Sequence, residues 1–75
     1  MASLKINFGR VVRRLRGEAG YSQESFADAI GLNRTYMGTL ERGKGNPTLQ
    51  IIEKIARGLR VSVSVLFETA EKESG

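Results

Sequence analysis

The sequence predicts an all-α fold: one compact domain built from five short helices. The chain has 75 residues, which is enough for one domain. Apolar residues recur at intervals of three and four, the spacing of one helix face. Short polar side chains that favour helix starts, and glycines that favour helix ends, separate these apolar segments.

The first helix is predicted from Asn7 to about Ala19. Asn7 is the expected N-cap, and Gly20 is the expected end of the helix. Its apolar residues form one stripe at helical spacing, namely Phe8, Val11, Val12, Leu15 and Ala19.

The second helix is predicted from Gln23 to Ile30, with Ser22 as its N-cap. Ser25, rather than Glu or Gln, stands three residues after the cap, so no capping box is expected. Gly31 is expected to end the helix in the left-handed conformation.

The third helix is predicted from an N-cap at Asn33 to about Arg42, with Gly43 as its end. Because Ile30 and Asn33 are so close in sequence, the two helices must meet at a sharp angle, which is a helix-turn-helix arrangement. The apolar residues expected to hold the pair to the core are Phe26, Ile30, Leu32, Met37 and Leu40. The side left exposed near the start of the third helix carries Arg34, Thr35, Tyr36, Gly38 and Thr39.

Two further helices are predicted after the loop "GKGNP". Thr48 is the expected cap of the fourth, which runs to about Gly58. The segment "RVSVSVLFE" alternates like a strand, but a lone strand would have nothing to pair with, so a short helix capped by Ser62 is preferred. The predicted domain covers residues 1–70, and residues 71–75 are expected to form a short, frayed acidic tail.

Composition excludes several classes of protein. The chain has no cysteine and no histidine, so it lacks thiolate ligands, disulfides, the commonest general base and the commonest zinc ligand. We therefore predict no catalytic residue, no metal site and no cofactor. Since no apolar run approaches the ~20 residues of a membrane span and no signal peptide opens the chain, we expect a cytoplasmic protein without a membrane partner.

The charge is unevenly distributed. The formal net charge is +4, but the last eight residues carry −2 and the remainder carries +6. The first 17 residues hold five basic side chains and no acidic one. A small domain with this positive charge is typical of a protein that binds a polyanion. The alternative is an ordinary surface that happens to be rich in lysine and arginine.

From Phe8 to Phe67 the chain resembles the phage repressor/Cro-like helix-turn-helix family, also called the XRE family. "YSQESFADAIGL" resembles the family's first motif helix and its turn. "NRTYMGTLERGKGNPTLQIIEKIARGLRVSVSVLF" resembles its recognition helix, loop and two closing helices. The run "NRTYMGTLERGKGNPT" is most similar to the controller proteins of restriction–modification systems. The resemblance implies a five-helix repressor-like domain that binds operator DNA as a symmetric dimer.

The resemblance assigns base reading to the start of the third helix. Arg34 and Thr35 occupy the family's principal base-reading positions, and Tyr36 and Thr39 are further candidates. The chemistry agrees, because arginine can donate two hydrogen bonds to guanine and a threonine methyl can pack on thymine. The alternatives are a solvated or phosphate-binding Arg34 and a Tyr36 partly buried against the fold. Gly38 either lets the helix approach DNA or serves packing.

Contacts to the DNA backbone are expected around this helix. In the family a glutamine at the position of Gln23 bonds phosphate and braces the recognition helix. Helix starts and loop residues also suit phosphates. The full set of backbone candidates is Ser22, Gln23, Arg42, Lys44, Asn46 and Thr48. Ser22 can fill its capping role at the same time, and Thr48 is expected to be an N-cap first, with its helix end facing phosphate. The alternative for Lys44 is a solvated loop position.

Two further sets of residues are expected to be architectural. In the family, residues at the positions of Arg16 and Glu41 commonly form a partly buried ion pair. The closing helices offer more apolar surface than one small core can hide, and part of it is expected at a two-fold interface. The interface candidates are Ile51, Val63, Val65 and Phe67.

These observations predict a sequence-specific regulator of transcription, not an enzyme. It would bind double-stranded DNA as a homodimer on an inverted-repeat operator, associated with the nucleoid, and activation would require a contact with RNA polymerase. An alternative is an antitoxin-type or other protein-interaction module with the same fold. The sequence does not indicate the operator, the regulated genes or the sign of regulation.

Overall fold

The computed structural model describes residues 3–73 and places five α-helices within them. The helices are α1 (Leu4–Glu18), α2 (Gln23–Ile30), α3 (Arg34–Glu41), α4 (Leu49–Leu59) and α5 (Val63–Lys72). The all-α prediction is confirmed, since residues 3–73 contain no strand. The valine-rich segment that alternates with serine is the start of α5. No helix in residues 3–73 is long and apolar enough to span a membrane.

Helix α1 begins earlier than predicted. Ser3, not Asn7, is its N-cap, and the Ser3 hydroxyl accepts a hydrogen bond from the N–H of Ile6 at 3.2 Å. Asn7 lies in the second turn and is buried. Its Nδ2 donates to the carbonyl of Glu73 at 3.2 Å. The error has a physical reason: an asparagine before an apolar stripe resembles a cap, and its true partner is remote in sequence.

The other four helix starts match the predicted caps, but one prediction about them is wrong. Ser22, Asn33, Thr48 and Ser62 each accept a hydrogen bond from the backbone N–H three residues later. At α2 the structure does contain a capping box. The hydroxyl of Ser25 accepts from the N–H of Ser22 at 2.9 Å, because a serine at this position reaches the cap as a glutamate would.

Helix α5 continues beyond the predicted start of the tail. It ends at Lys72, and Glu73 is hydrogen-bonded to α1 through its main chain and its side chain. The Glu73 carboxylate lies 2.9 Å from Nη1 of Arg14. Residues 71 and 72 of the predicted tail therefore lie in α5, and these hydrogen bonds join Glu73 to α1. Residues 74 and 75 of the predicted tail lie outside the described residues.

A single core lies between the five helices. Its fully buried large side chains are Phe26, Met37, Ile55, Leu66, Val11 and Val12. The rings of Phe8 and Phe67 stack with their centroids 5.3 Å apart, joining α1 to α5. The ring of Tyr21 meets Phe26 edge-on at 5.2 Å. Helix α3 packs on α1, and helix α2 packs on α4 and α1, while α5 packs against α1 and α4.

Gly9 sets the distance between α1 and α3. A Cβ atom added there would lie 2.5 Å from the carbonyl oxygen of Leu40 and 2.7 Å from that of Glu41. Real Cβ atoms essentially never approach backbone oxygens so closely. The absence of a side chain at Gly9 therefore lets the end of α3 lie directly on α1, which fixes the position of the third helix.

Candidate nucleic-acid interface

The turn between α2 and α3 comprises Gly31, Leu32 and Asn33. Gly31 adopts φ +73°, a left-handed conformation that glycine accepts at little steric cost. The N–H of Leu32 donates to the carbonyl of Ala27 at 2.8 Å. Ala27 itself is fully buried. These features fix the angle between the two helices.

Helix α3 has a buried side and an exposed side near its N-terminus. Met37 and Leu40 lie in the core. Arg34 and Thr35 are exposed, and Tyr36 is half-buried against the core. The structure thus presents arginine and threonine at the accessible helix end, while the body of Tyr36 serves packing as well.

The guanidinium of Arg34 is not free. Its Nη1 lies 2.9 Å from Oε2 of Glu24, in the first turn of α2. Both side chains are 64% exposed. The ion pair therefore joins the starts of the two motif helices at the surface where base reading is predicted.

Thr39 is half-buried one turn beyond Thr35, and its hydroxyl proton is already engaged. The Thr39 hydroxyl donates to the carbonyl of Thr35 at 3.1 Å. Nη2 of Arg42 lies 3.5 Å from the same oxygen. Thr39 can therefore contact a partner through its methyl group or accept a hydrogen bond on its hydroxyl oxygen. Donating its hydroxyl proton to a partner would break the bond to the carbonyl of Thr35.

A buried polar network holds α3 from behind, and it contains the ion pair that the resemblance implies. Arg16 donates to Glu41 through Nε at 2.7 Å and through Nη2 at 3.0 Å. The side chains of Arg16 and Glu41 are only 12% and 3% exposed. Arg16 also donates through Nη1 to the carbonyl of Tyr21 at 2.9 Å. The network thus connects the end of α1, the turn before α2 and the end of α3.

The hydrogen bond to Glu41 raises the pKa of Arg16 further above its ordinary high value, against the opposing effect of burial. Because the pKa of Arg16 is raised in the folded state, its charged form stabilises the fold, and this contribution is fully present below the pKa of an unfolded arginine. It would be lost only as the pH rises through the folded value. Arg16 therefore stays charged at every pH of biological interest.

Gln23 joins this network from α2. Its Nε2 donates to Oε1 of Glu41 at 3.0 Å. Gly38 lies beneath it: a Cβ added at Gly38 would approach both Oε1 of Gln23 and Nη1 of Arg42 at 3.3 Å. Gly38 is buried and leaves room for these two side chains, which supports the packing interpretation of this glycine.

The remaining backbone candidates flank α3. Ser22 and Thr48 both use their side-chain oxygens as N-caps, accepting from Ser25 at 3.0 Å and from Ile51 at 3.2 Å. First-turn N–H groups of a helix have no partner within the helix and can bind an anion. Lys44 and Asn46 are exposed in the loop between α3 and α4.

The four dimer candidates differ in accessibility. Val65 is 45% exposed on α5. Ile51, Val63 and Phe67 are half-buried and pack against the core of their own chain. Leu49, at the start of α4, is more exposed than any of them, at 77%. Val65 therefore offers the clearest unburied apolar surface within the predicted interface.

Sequence reasoning missed two residues of this region. Glu24 resembles an ordinary acidic residue of a helix first turn, and nothing local links it to an arginine in the next helix. Gly9 interrupts the apolar stripe of α1. A glycine in a helix interior costs stability, so its presence beside Phe8 was a usable signal of close packing.

Two short helices joined by a three-residue turn, with a polar exposed start on the second, define a helix-turn-helix protein. A family model described as helix-turn-helix matches residues 12–66. The chain belongs to this family.

Its relatives include restriction–modification controller proteins. The control protein C.MunI of Mycoplasma sp is 47% identical over 74 residues, which cover 97% of this chain and 100% of that protein. The crystal structure of the restriction-modification controller protein C.AhdI from Aeromonas hydrophila is 41% identical, covers 81% of this chain and 92% of its own, and superposes with a TM-score of 0.78. C.Esp1396I bound to a 19 base pair DNA duplex is 37% identical, covers 95% of each chain and has a TM-score of 0.82.

Proposed function

We propose that this chain is a sequence-specific regulator of transcription that binds double-stranded DNA as a homodimer and acts as a restriction–modification controller protein. One observation carries the proposal: the start of α3 presents exposed Arg34 and Thr35 while its other side is held rigidly by the Arg16–Glu41–Gln23 network. Rigid presentation of a few polar side chains is what base reading requires. A controller-protein relative bound to a DNA duplex supports the same use of the fold.

Arg34 is the principal base reader. Its guanidinium can donate two parallel hydrogen bonds to the O6 and N7 atoms of guanine in the major groove. Thr35 places a methyl group beside it, suited to a thymine methyl. Tyr36 and Thr39 extend the surface, Thr39 through its methyl group or an acceptor lone pair because its proton is engaged within α3.

Phosphate contacts position this helix. The starts of α2 and α4, capped by Ser22 and Thr48, direct N–H groups outward. Gln23, Arg42, Lys44 and Asn46 add polar and basic groups on either side of α3. Such contacts release counterions, so binding should weaken steeply as salt rises.

Two copies related by a two-fold axis would place their α3 helices in successive major grooves, ~34 Å apart. The operator is therefore an inverted repeat. Occupation of the operator covers a promoter, and activation would add a contact with RNA polymerase. The proposal places the protein in the cytoplasm at the nucleoid. It invokes no cofactor and no catalytic step.

Selection of genomic fragments by the purified protein at ~150 mM salt tests the proposal directly. Sequencing of the retained fragments should reveal a short inverted repeat upstream of a gene. Restriction and methyltransferase genes beside that site would support the controller role. Retention of all fragments alike would contradict sequence-specific binding.

Substitution Arg34→Ala should weaken binding to the selected operator roughly 10- to 100-fold, because a bidentate base contact is lost. Binding to unrelated DNA should change only a few-fold. Fluorescence anisotropy on both duplexes measures the difference. Arg13→Ala, which removes an exposed arginine of α1, is the matched charge control. It should weaken binding to both duplexes by the same factor.

Substitution Val65→Glu should dissociate the dimer while leaving the monomer folded. Val65 is 45% exposed, so the monomer loses little packing. A glutamate at this position also suits the start of α5, behind the Ser62 cap. Sedimentation should report a monomer, and operator binding should fall. Ser64→Glu adds the same charge one residue earlier; an equally dissociated Ser64→Glu protein would show that charge on α5, rather than Val65, is responsible.

A further inference from the structure

Glu24 occupies a position that a DNA-binding surface would ordinarily avoid. It is an exposed acidic side chain in the first turn of α2, beside the Ser22 cap at which a phosphate is expected. Its carboxylate would repel that phosphate. Glu24 is nevertheless bonded to Arg34, the side chain best suited to reading a base. Its charge therefore acts on the residue that determines sequence preference.

The geometry leaves part of the Arg34 guanidinium available. Glu24 receives a bond from Nη1. Within residues 3–73 the structure shows no other hydrogen bond from this side chain, so Nε and Nη2 retain donors. These two atoms form one edge of the guanidinium fork and can donate in parallel to a guanine. Glu24 can thus hold Arg34 while Arg34 reads a base.

We propose that Glu24 is a specificity-determining residue: it orients Arg34 for a guanine and disfavours the use of Arg34 as a phosphate clamp. This inference rests on the proposed DNA-binding function. On the operator, the bond from Arg34 to Glu24 is kept, and this ordering offsets the repulsion between the carboxylate and phosphates. On other DNA, Arg34 must leave Glu24 to reach a phosphate, and only the repulsion remains. Specificity is a difference of affinities, so an interaction that penalises the wrong complex raises it.

The ion pair is suited to this role because it is exposed. Exposed pairs are weak and screened by salt, so Glu24 restrains Arg34 without locking it. For the same reason the pair contributes little to folding. A change at Glu24 should therefore appear in DNA selectivity and not in thermal stability.

The test compares Glu24→Gln with Asp28→Asn. Both substitutions remove one exposed negative charge from α2, but among the ion pairs of residues 3–73 only Glu24 is joined to Arg34. The measured quantity is the ratio of dissociation constants for a scrambled duplex and for the operator duplex at ~150 mM salt. Glu24→Gln should lower this ratio roughly 3- to 10-fold, chiefly through tighter binding of scrambled DNA. Asp28→Asn should strengthen binding to both duplexes equally and leave the ratio within about 2-fold of the wild-type value.

Combining Glu24→Gln with Arg34→Ala isolates the link between the two residues. If Glu24 acts through Arg34, its substitution in the Arg34→Ala background should change the ratio no more than Asp28→Asn does. An unchanged ratio for Glu24→Gln alone, or an equal effect of Asp28→Asn, overturns the inference. Wild-type protein that does not distinguish operator from scrambled DNA would instead overturn the proposed function, so the two failures are distinguishable.

Discussion

Substitution Gly9→Ala should lower the free energy of unfolding by about 3 kcal/mol. The added methyl group would lie 2.5 Å from the carbonyl oxygen of Leu40 and 2.7 Å from that of Glu41. Both atoms belong to the backbone of α3, so no side-chain rotation can relieve the overlap. Either α1 and α3 separate, or the end of α3 deforms. Denaturant unfolding followed by circular dichroism measures the loss.

The effect should extend to DNA binding. Helix α3 carries the predicted base-reading residues, and its end would move relative to α1. Operator affinity should therefore fall even at a temperature where the variant is folded. Gly17→Ala is the matched control, because Gly17 lies in the same helix and a Cβ there meets no atom within 4 Å. Alanine at Gly17 should raise stability by about 0.5–1 kcal/mol through helix propensity. Equal losses for the two variants would show that helix α1 tolerates no alanine, whatever its neighbours.

Substitution Glu41→Gln should also cost about 3 kcal/mol of unfolding free energy. Glu41 accepts two hydrogen bonds from Arg16 and one from Gln23. An amide provides one oxygen and no charge, so the Arg16 cation would remain in a site where its side chain is only 12% exposed, without its counterion. Urea denaturation at neutral pH gives the change in stability.

The matched control removes both charges. Arg16→Met combined with Glu41→Leu leaves no stranded ion, and apolar replacements of a buried pair are often neutral or stabilising. The double variant should therefore be more stable than Glu41→Gln alone. Gln23 loses its acceptor in the double variant, so operator affinity should still fall several-fold. A double variant less stable than the single one would mean that the ion pair itself contributes net stability.

Local features of this fold could be predicted from the sequence. The helix caps and the left-handed turn depend on hydrogen bonds between residues at most five apart in sequence, so both partners of each bond can be read from one short segment. These positions are Ser22, Asn33, Thr48, Ser62 and Gly31. The exposed start of α3 follows from helix periodicity once Met37 and Leu40 are assigned to the core. The resemblance to known helix-turn-helix proteins supplied the Arg16–Glu41 pair, which spacing alone does not indicate.

The remaining features depend on contacts between residues far apart in sequence. Asn7 was predicted as a cap because its neighbours permit that role, whereas its partner is the carbonyl of Glu73, 66 residues away. The same contact joins α1 to Glu73, which was predicted to lie in a frayed tail because chain termini commonly fray. Gly9 meets the backbone of α3, and Glu24 meets Arg34, only after the helices have packed.

The spacing of residues within single chain segments predicts the five helices, the tight turn and the exposed start of α3, and the resemblance adds the base-reading role of its side chains. The packed structure was needed to establish how closely α3 lies on α1, how Glu73 is held and which acidic residue meets Arg34. Those outcomes depend on distances between helices, and the packing of the whole core sets those distances.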